Sequence, residues 1–134
     1  MGYYSDVAIG IAFPNKEAAT AFLCSVRLNN KMPSEELAHY KVTIDPDMVV
    51  LHARFEEIKW YDSYPHVQCH HGMLGLAGDQ DYGTAFVRVG EDYGDIECEI
   101  SGEFDLWEFF GIRREVVSPD DGIALSEFIN TTKE

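Results

Sequence analysis

Bulky apolar side chains alternate with small ones over Ser5–Phe13, where Val7, Ile9, Ile11 and Phe13 are interleaved with Ala8, Gly10 and Ala12. A period of two marks a strand, and apolar residues on both faces place that strand in the middle of a sheet. Pro14 and Asn15 interrupt the pattern. Asn15 can cap a helix, and Ala19, Phe22, Leu23 and Val26 then recur at helical spacing as far as Asn29 and Asn30. Pro33 and Ser34 predict a short helical turn through Leu37, Val42 and Ile44 a short strand, and Asp45-Pro46-Asp47 a turn.

Met48–Trp60 is the longest predicted strand, with Val49, Leu51, Ala53 and Phe55 on one face and Val50, His52, Arg54 and Glu56 on the other, partly wet one. A second helix follows, capped by Asp62 or Ser63, with Pro65 in its first turn, Val67, His71 and Leu74 facing inward, and Gly75 and Gly78 at its end. Thr84–Val89 and Asp95–Ser101 flank the loop Gly90-Glu91-Asp92-Tyr93-Gly94 and predict a hairpin. Leu106–Val117 predicts a further strand, and Ala124–Ile129 either a short terminal helix or part of a flexible tail from about residue 118 to 134. The order β-α-β-β-α-β with further β predicts an α+β fold. Its form would be a ferredoxin-like split β-α-β sandwich, an antiparallel sheet with two helices on one face, plus an appended β-hairpin. That topology hosts many unrelated activities, so it names none.

A length of 134 residues allows one domain, 1–134, and 46% hydrophobic with 13% aromatic residues excludes a disordered chain. Charge changes the picture more. Twenty-four acidic against ten basic residues give −14, which excludes nucleic acid and anionic membrane surfaces as direct partners and favours a basic protein. The excess is concentrated: between Asp79 and Glu108, Arg88 alone opposes ten carboxylates. Met1–Phe13 has neither the basic start nor the apolar run of a signal peptide, so a cytoplasmic protein is expected. Cys24, Cys69 and Cys98 are odd in number and far apart, which predicts reduced, mostly buried thiols.

Three constellations resemble chemistry. In His66-Val67-Gln68-Cys69-His70-His71, helical spacing would bring His66, Cys69 and His70 together as zinc ligands, with His52 or a carboxylate completing the set. A small zinc-dependent hydrolase would then use Glu56 or Asp62 as base, although Val67 stands where a zinc peptidase helix needs glutamate. Ordinary helix histidines with one buried thiol are the simpler expectation. Pro46-Asp47 followed by Glu57-Ile58-Lys59 has the letters of a metal-dependent nuclease, but ten residues of strand separate the acids by roughly 33 Å, too far to share an ion. Asp79-Gln80-Asp81-Tyr82-Gly83 begins like a calcium loop, yet Gly90 stands where the bidentate glutamate is required. No nucleophile elbow, phosphate-binding loop or dinucleotide fingerprint occurs, so no catalytic residue is assigned.

The acidic hairpin remains. Alternation over Asp95–Ser101 sends Ile96, Cys98 and Ile100 to one face and Asp95, Glu97 and Glu99 to the other, a carboxylate every ~6.6–6.8 Å. With Glu91, Asp92, Glu103, Asp105 and Glu108 they form a candidate binding surface whose spacing is comparable with a row of nucleic-acid phosphates. Two aromatic groups, Trp60, Tyr61 and Tyr64, and Trp107, Phe109 and Phe110, are expected to pack in the core or to form a patch.

Three strings, GYYSDVAIGI, WYDSYPHVQ and FVRVGEDYGDIE, together resemble small acidic proteins of tailed bacteriophages and prophages, over about residues 1–100. The resemblance implies an accessory protein made inside a bacterial host and acting by binding a host protein; it assigns no residue a role. The expected function is therefore non-catalytic modulation of a host protein, including one that normally holds nucleic acid, through the acidic strip as a DNA mimic. The alternatives are the zinc hydrolase and a virion or assembly component, the latter a homo-oligomer.

Overall fold

A computed structural model describes residues 3–28, 33–92, 94–102, 106, 110–113, 115–119, 122–125 and 127–128. Strand β1 (Ser5–Phe13) is followed by helices α1 (Lys16–Leu28) and α2 (Ser34–Leu37) and then by β2 (Lys41–Ile44) and β3 (Val49–Ile58). Helix α3 (Pro65–Asp79) leads to β4 (Gly83–Gly90), β5 (Ile96–Ser101), β6 (Gly111–Arg113), β7 (Glu115–Val117) and β8 (Ile123–Ala124). Six strands form one sheet in the order β5-β4-β1-β3-β2-β8, every pair antiparallel, while β6 and β7 pair separately. The α+β class holds, with a larger sheet than expected.

The interleaving in β1 explains its central position. Val7, Ile9, Ile11 and Phe13 are fully buried beneath Phe22, Leu23 and Val26 of α1 and Val67, Met73 and Ala77 of α3. On the reverse face Ala8 and Ala12 pack with Val50, Ala85 and Val87 under Leu106 and Phe110. Gly10 is needed here for lack of a side chain: a Cβ would collide with Cζ of Phe110. Asn15 Oδ1 accepts the Ala18 N–H at 2.8 Å and so caps α1 as expected.

The pairing of β1 with β3 is irregular at the end of β3. Val7 opposes Phe55 and Ser5 opposes Ile58, so Glu56 and Glu57 share the space opposite Asp6, a β-bulge in which Glu57 has φ of 49° and its N–H donates to Asp6 Oδ1. Asp47 thus sits in the turn that precedes β3 and Glu57 near the strand's far end.

Several expectations are corrected. Helix α3 begins after Tyr64, with no side-chain cap from Asp62 or Ser63, and continues through Gly75 and Gly78. Its inward residues are Val67, His70, Met73 and Ala77, so His70 is buried and His71 and Leu74 are only half-buried. The helix turns its 3.6-residue period around Val67 and Met73, which fixes His70 between them. Leu106–Val117 supplies not one strand but the β6–β7 pair preceded by two buried residues, Leu106 and Phe110. Of the stretch expected as a tail, the described residues Ile123 and Ala124 form β8, which pairs with β2, and Leu125 and Phe128 enter the core. Cys24 and Cys98 are exposed rather than buried, because α1 turns Leu23 inward and Cys98 lies on an end strand. Among the described residues, no helix is long and apolar enough to cross a membrane.

Candidate functional site

The histidine cluster does not converge. His70 Nε2 lies 2.9 Å from Glu36 Oε1 and its Nδ1 2.7 Å from Tyr40 Oη. A carboxylate only accepts, so Nε2 carries the proton and Tyr40 donates to Nδ1; both nitrogens are occupied inside the protein. The ring lies among Phe55, Trp60 and Tyr40, and burial lowers its pKa, outweighing the hydrogen bond it donates to Glu36. Cys69 Sγ donates to the His66 carbonyl, and burial raises the thiol's pKa, which disfavours the thiolate a metal would need. His66 lies beside the Tyr64 ring, and His52 points to the sheet's opposite face, where it bonds Thr43 Oγ1 at 2.8 Å. Among the described residues, no group of three or more His, Cys, Asp or Glu side chains is arranged to hold a metal ion. The cluster ties α2 to α3 instead.

The carboxylates of the hairpin separate into two groups. Register places Glu97 opposite Arg88 and Glu99 opposite Phe86, so both project to the helix-covered side of the sheet. Arg88 is forked between acids: Nη2 and Nη1 reach the two oxygens of Asp95 at 2.6 and 3.1 Å, while Nε lies 2.7 Å from Glu97 Oε1. Nη2 also lies within ion-pair distance of Glu97, and Nη1 donates to Ser5 Oγ, so every nitrogen of the guanidinium is engaged. Hydrogen bonding from Arg88, and then from Tyr3, holds the Asp95 pKa below the usual carboxylate range. Glu91 accepts only the Tyr4 backbone N–H, and Asp92 and Glu99 make no ion pair among the described residues. The expected row of equivalent charges is therefore broken at Asp95 and Glu97. Glu103, Asp105 and Glu108 lie outside the described residues, as do Trp107 and Phe109.

Beside this fork, between α3 and the hairpin, opens a cleft of about 690 Å³ lined by Tyr3, Trp60, Tyr61, Asp62, Gln68, His71, Phe86, Arg88 and Glu97. The Tyr3 N–H donates to Tyr61 Oη, and the Tyr3 hydroxyl donates to Asp95 while accepting the Asp92 N–H at 2.8 Å. Trp60 Nε1 donates to His71 Nε2 at 3.2 Å, and Gln68 holds the Asp62 carbonyl at 3.0 Å. Of the expected aromatic group, Trp60 is buried as a floor, whereas Tyr61 and Tyr64 are half-buried and packed edge to face at 5.1 Å. Tyr3, His71 and Phe86 were not legible as members of a site: they come from three elements distant in sequence. Arg88 carried the one available signal, as a solitary cation among ten carboxylates.

No protein-family model, curated protein or solved structure matches this chain. Function has to be argued from the site itself.

Proposed function

We propose that this chain is a non-catalytic binding protein that takes a basic partner protein at the β4–β5 end of its sheet. The setting we propose is that of a phage accessory protein acting on a protein of its bacterial host, in the host cytoplasm. One observation carries the binding function: Arg88 is the only basic residue of the described hairpin, and Asp95 and Glu97 consume it. Five carboxylates against one arginine leave a net charge of −4 there, with Glu91, Asp92 and Glu99 facing solvent. Such a patch accelerates encounter with a cationic surface and makes binding salt-sensitive. Mimicry of a phosphate row draws less support, because two of the three carboxylates of Asp95–Ser101, Asp95 and Glu97, are already held by Arg88. We also read β4-β1-β3-β2 with α1 and α3 as a ferredoxin-like split β-α-β unit, extended by β5 and β8; the strand order and the two crossing helices support this.

The test is affinity capture from bacterial lysate at low and high salt, with a variant carrying Glu91→Lys, Asp92→Lys and Glu99→Lys. These three positions leave the Arg88 fork intact. A partner retained by the wild type at low salt, and lost both at high salt and in the triple variant, is the expected result. Equal retention by the triple variant rules the hairpin out as the interface.

A further inference from the structure

We infer that the cleft between α3 and the β4–β5 hairpin is a subsite for one arginine side chain of the basic partner. This deepens the function proposed above and rests on it. Its volume of about 690 Å³ lies in the range of small-molecule pockets, ample for a guanidinium and its aliphatic stem. The lining favours a flat cation. Tyr3 spends its hydroxyl on Asp95, Trp60 spends its indole N–H on His71, and Phe86 has no polar atom, so these residues offer a ligand their rings. Aromatic faces attract cations, and a guanidinium also stacks on them.

Charge excludes the opposite ligand. Arg88 is the cation of the cleft lining that would attract an anion, yet all three of its nitrogens are engaged by Asp95, Glu97 and Ser5. Asp62, Asp95 and Glu97 outnumber it three to one around the cleft, a net charge of −2. Asp62 stands at the rim with its carboxylate almost wholly in solvent, 96% exposed, where it can meet an incoming guanidinium without first leaving another partner. Its 4.0 Å separation from His71 Nε2 is too long for a hydrogen bond, and that nitrogen already accepts from Trp60.

The probe is a tetra-arginine peptide titrated into the ¹⁵N-labelled full chain, with tetraglutamate as the control and the Trp60 indole signal assigned through Trp107→Phe. Tetra-arginine is expected to shift the Trp60 indole together with the amides of His71 and Phe86. Asp62→Lys, a change at an exposed side chain, is expected to weaken these shifts by about threefold or more in apparent affinity, as one charge reversal at a partly screened site implies. Tyr61→Phe removes a hydroxyl but leaves the rings of the cleft in place, and should bind as the wild type does; loss of the cleft shifts in this variant overturns recognition by the rings. Shifts confined to Glu91–Ser101 overturn the subsite and leave the hairpin interface standing; no shift anywhere overturns both. A response of the cleft signals to tetraglutamate overturns the subsite by showing an anion site at Arg88.

Discussion

Gly10 and His52 face each other across β1 and β3, and each has a consequence out of proportion to its size. The absent side chain of Gly10 is the space Phe110 fills, and Phe110 is itself enclosed, at 2% exposure. Gly10→Ala is therefore expected to cost about 1–3 kcal/mol in urea unfolding, the usual penalty of overpacking a closed core. The same substitution should cost much less in a Phe110→Ala background, because the two changes relieve one another. His52 gives a pH dependence. Burial, with Lys41 nearby, lowers its pKa from 6.5 to about 4, so the unfolded chain takes up a proton that the folded one resists. Stability is then full above pH 6.5 and falls as pH drops toward 4, by on the order of 3 kcal/mol for a shift of this size. His70, also lowered, acts in the same direction, whereas the lowered Asp95 loses its contribution only below about pH 3.8. Urea midpoints between pH 7 and 4 should show the fall, and His52→Gln should flatten it.

At the level of elements, the hairpin is held at its loop end by Arg88, Asp95, Glu97 and Tyr3 rather than by a core of its own, since β5 is exposed along most of its length. Removing the arginine leaves two carboxylates close together with no counter-charge. Arg88→Ala is expected to destabilise by about 1–3 kcal/mol, the range for a lost charge-assisted hydrogen-bond set at a half-buried site. The loss should be local: amide hydrogen exchange of Ile96–Ser101 accelerates strongly while that of Ile9–Phe13 follows only the global change. Arg88→Lys should restore part of this at most, because an ammonium cannot bridge two carboxylates as a planar fork does. The strands and helices themselves were largely legible, because β1, α1, α2, β2, β3 and the β4–β5 pair each announce themselves by periodicity and by breakers such as Pro14, Pro33 and Gly94. Helix α3 was legible in existence but not in orientation. Its apolar positions are sparse and its histidines fall on several sides, so burial of His70 rather than His71 depended on Glu36 and Tyr40 arriving as partners.

For the molecule as a whole, a net charge of −14 on 134 residues means that the folded chain repels itself. Raising NaCl from about 0.02 to 0.5 M shortens the Debye length from roughly 20 Å to about 4 Å and should raise the thermal midpoint of the isolated protein. The same change should weaken capture of a basic partner, since it screens the attraction that speeds encounter. Opposite salt responses of stability and binding, measured by calorimetry and by affinity capture, are the expected pair. A salt-insensitive complex would mean that the partner does not meet the acidic hairpin.

The amino-acid sequence by itself determined the α+β class, the central position of β1, the acidic second half and the hairpin that concentrates it, because periodicity, turn residues and charge are properties of neighbouring positions. Tertiary structure decided what those charges do. Arg88 lies seven and nine residues before Asp95 and Glu97, and pairing of β4 with β5 brings the three into one fork, dividing the strip into carboxylates held by Arg88 and carboxylates that make no ion pair among the described residues. It also gathered Tyr3, Trp60, His71 and Phe86 from separate elements into one cleft, and gave both nitrogens of His70 to internal partners. Convergence of side chains distant in sequence depends on strand register and helix rotation, and those are set by the packing of the whole core.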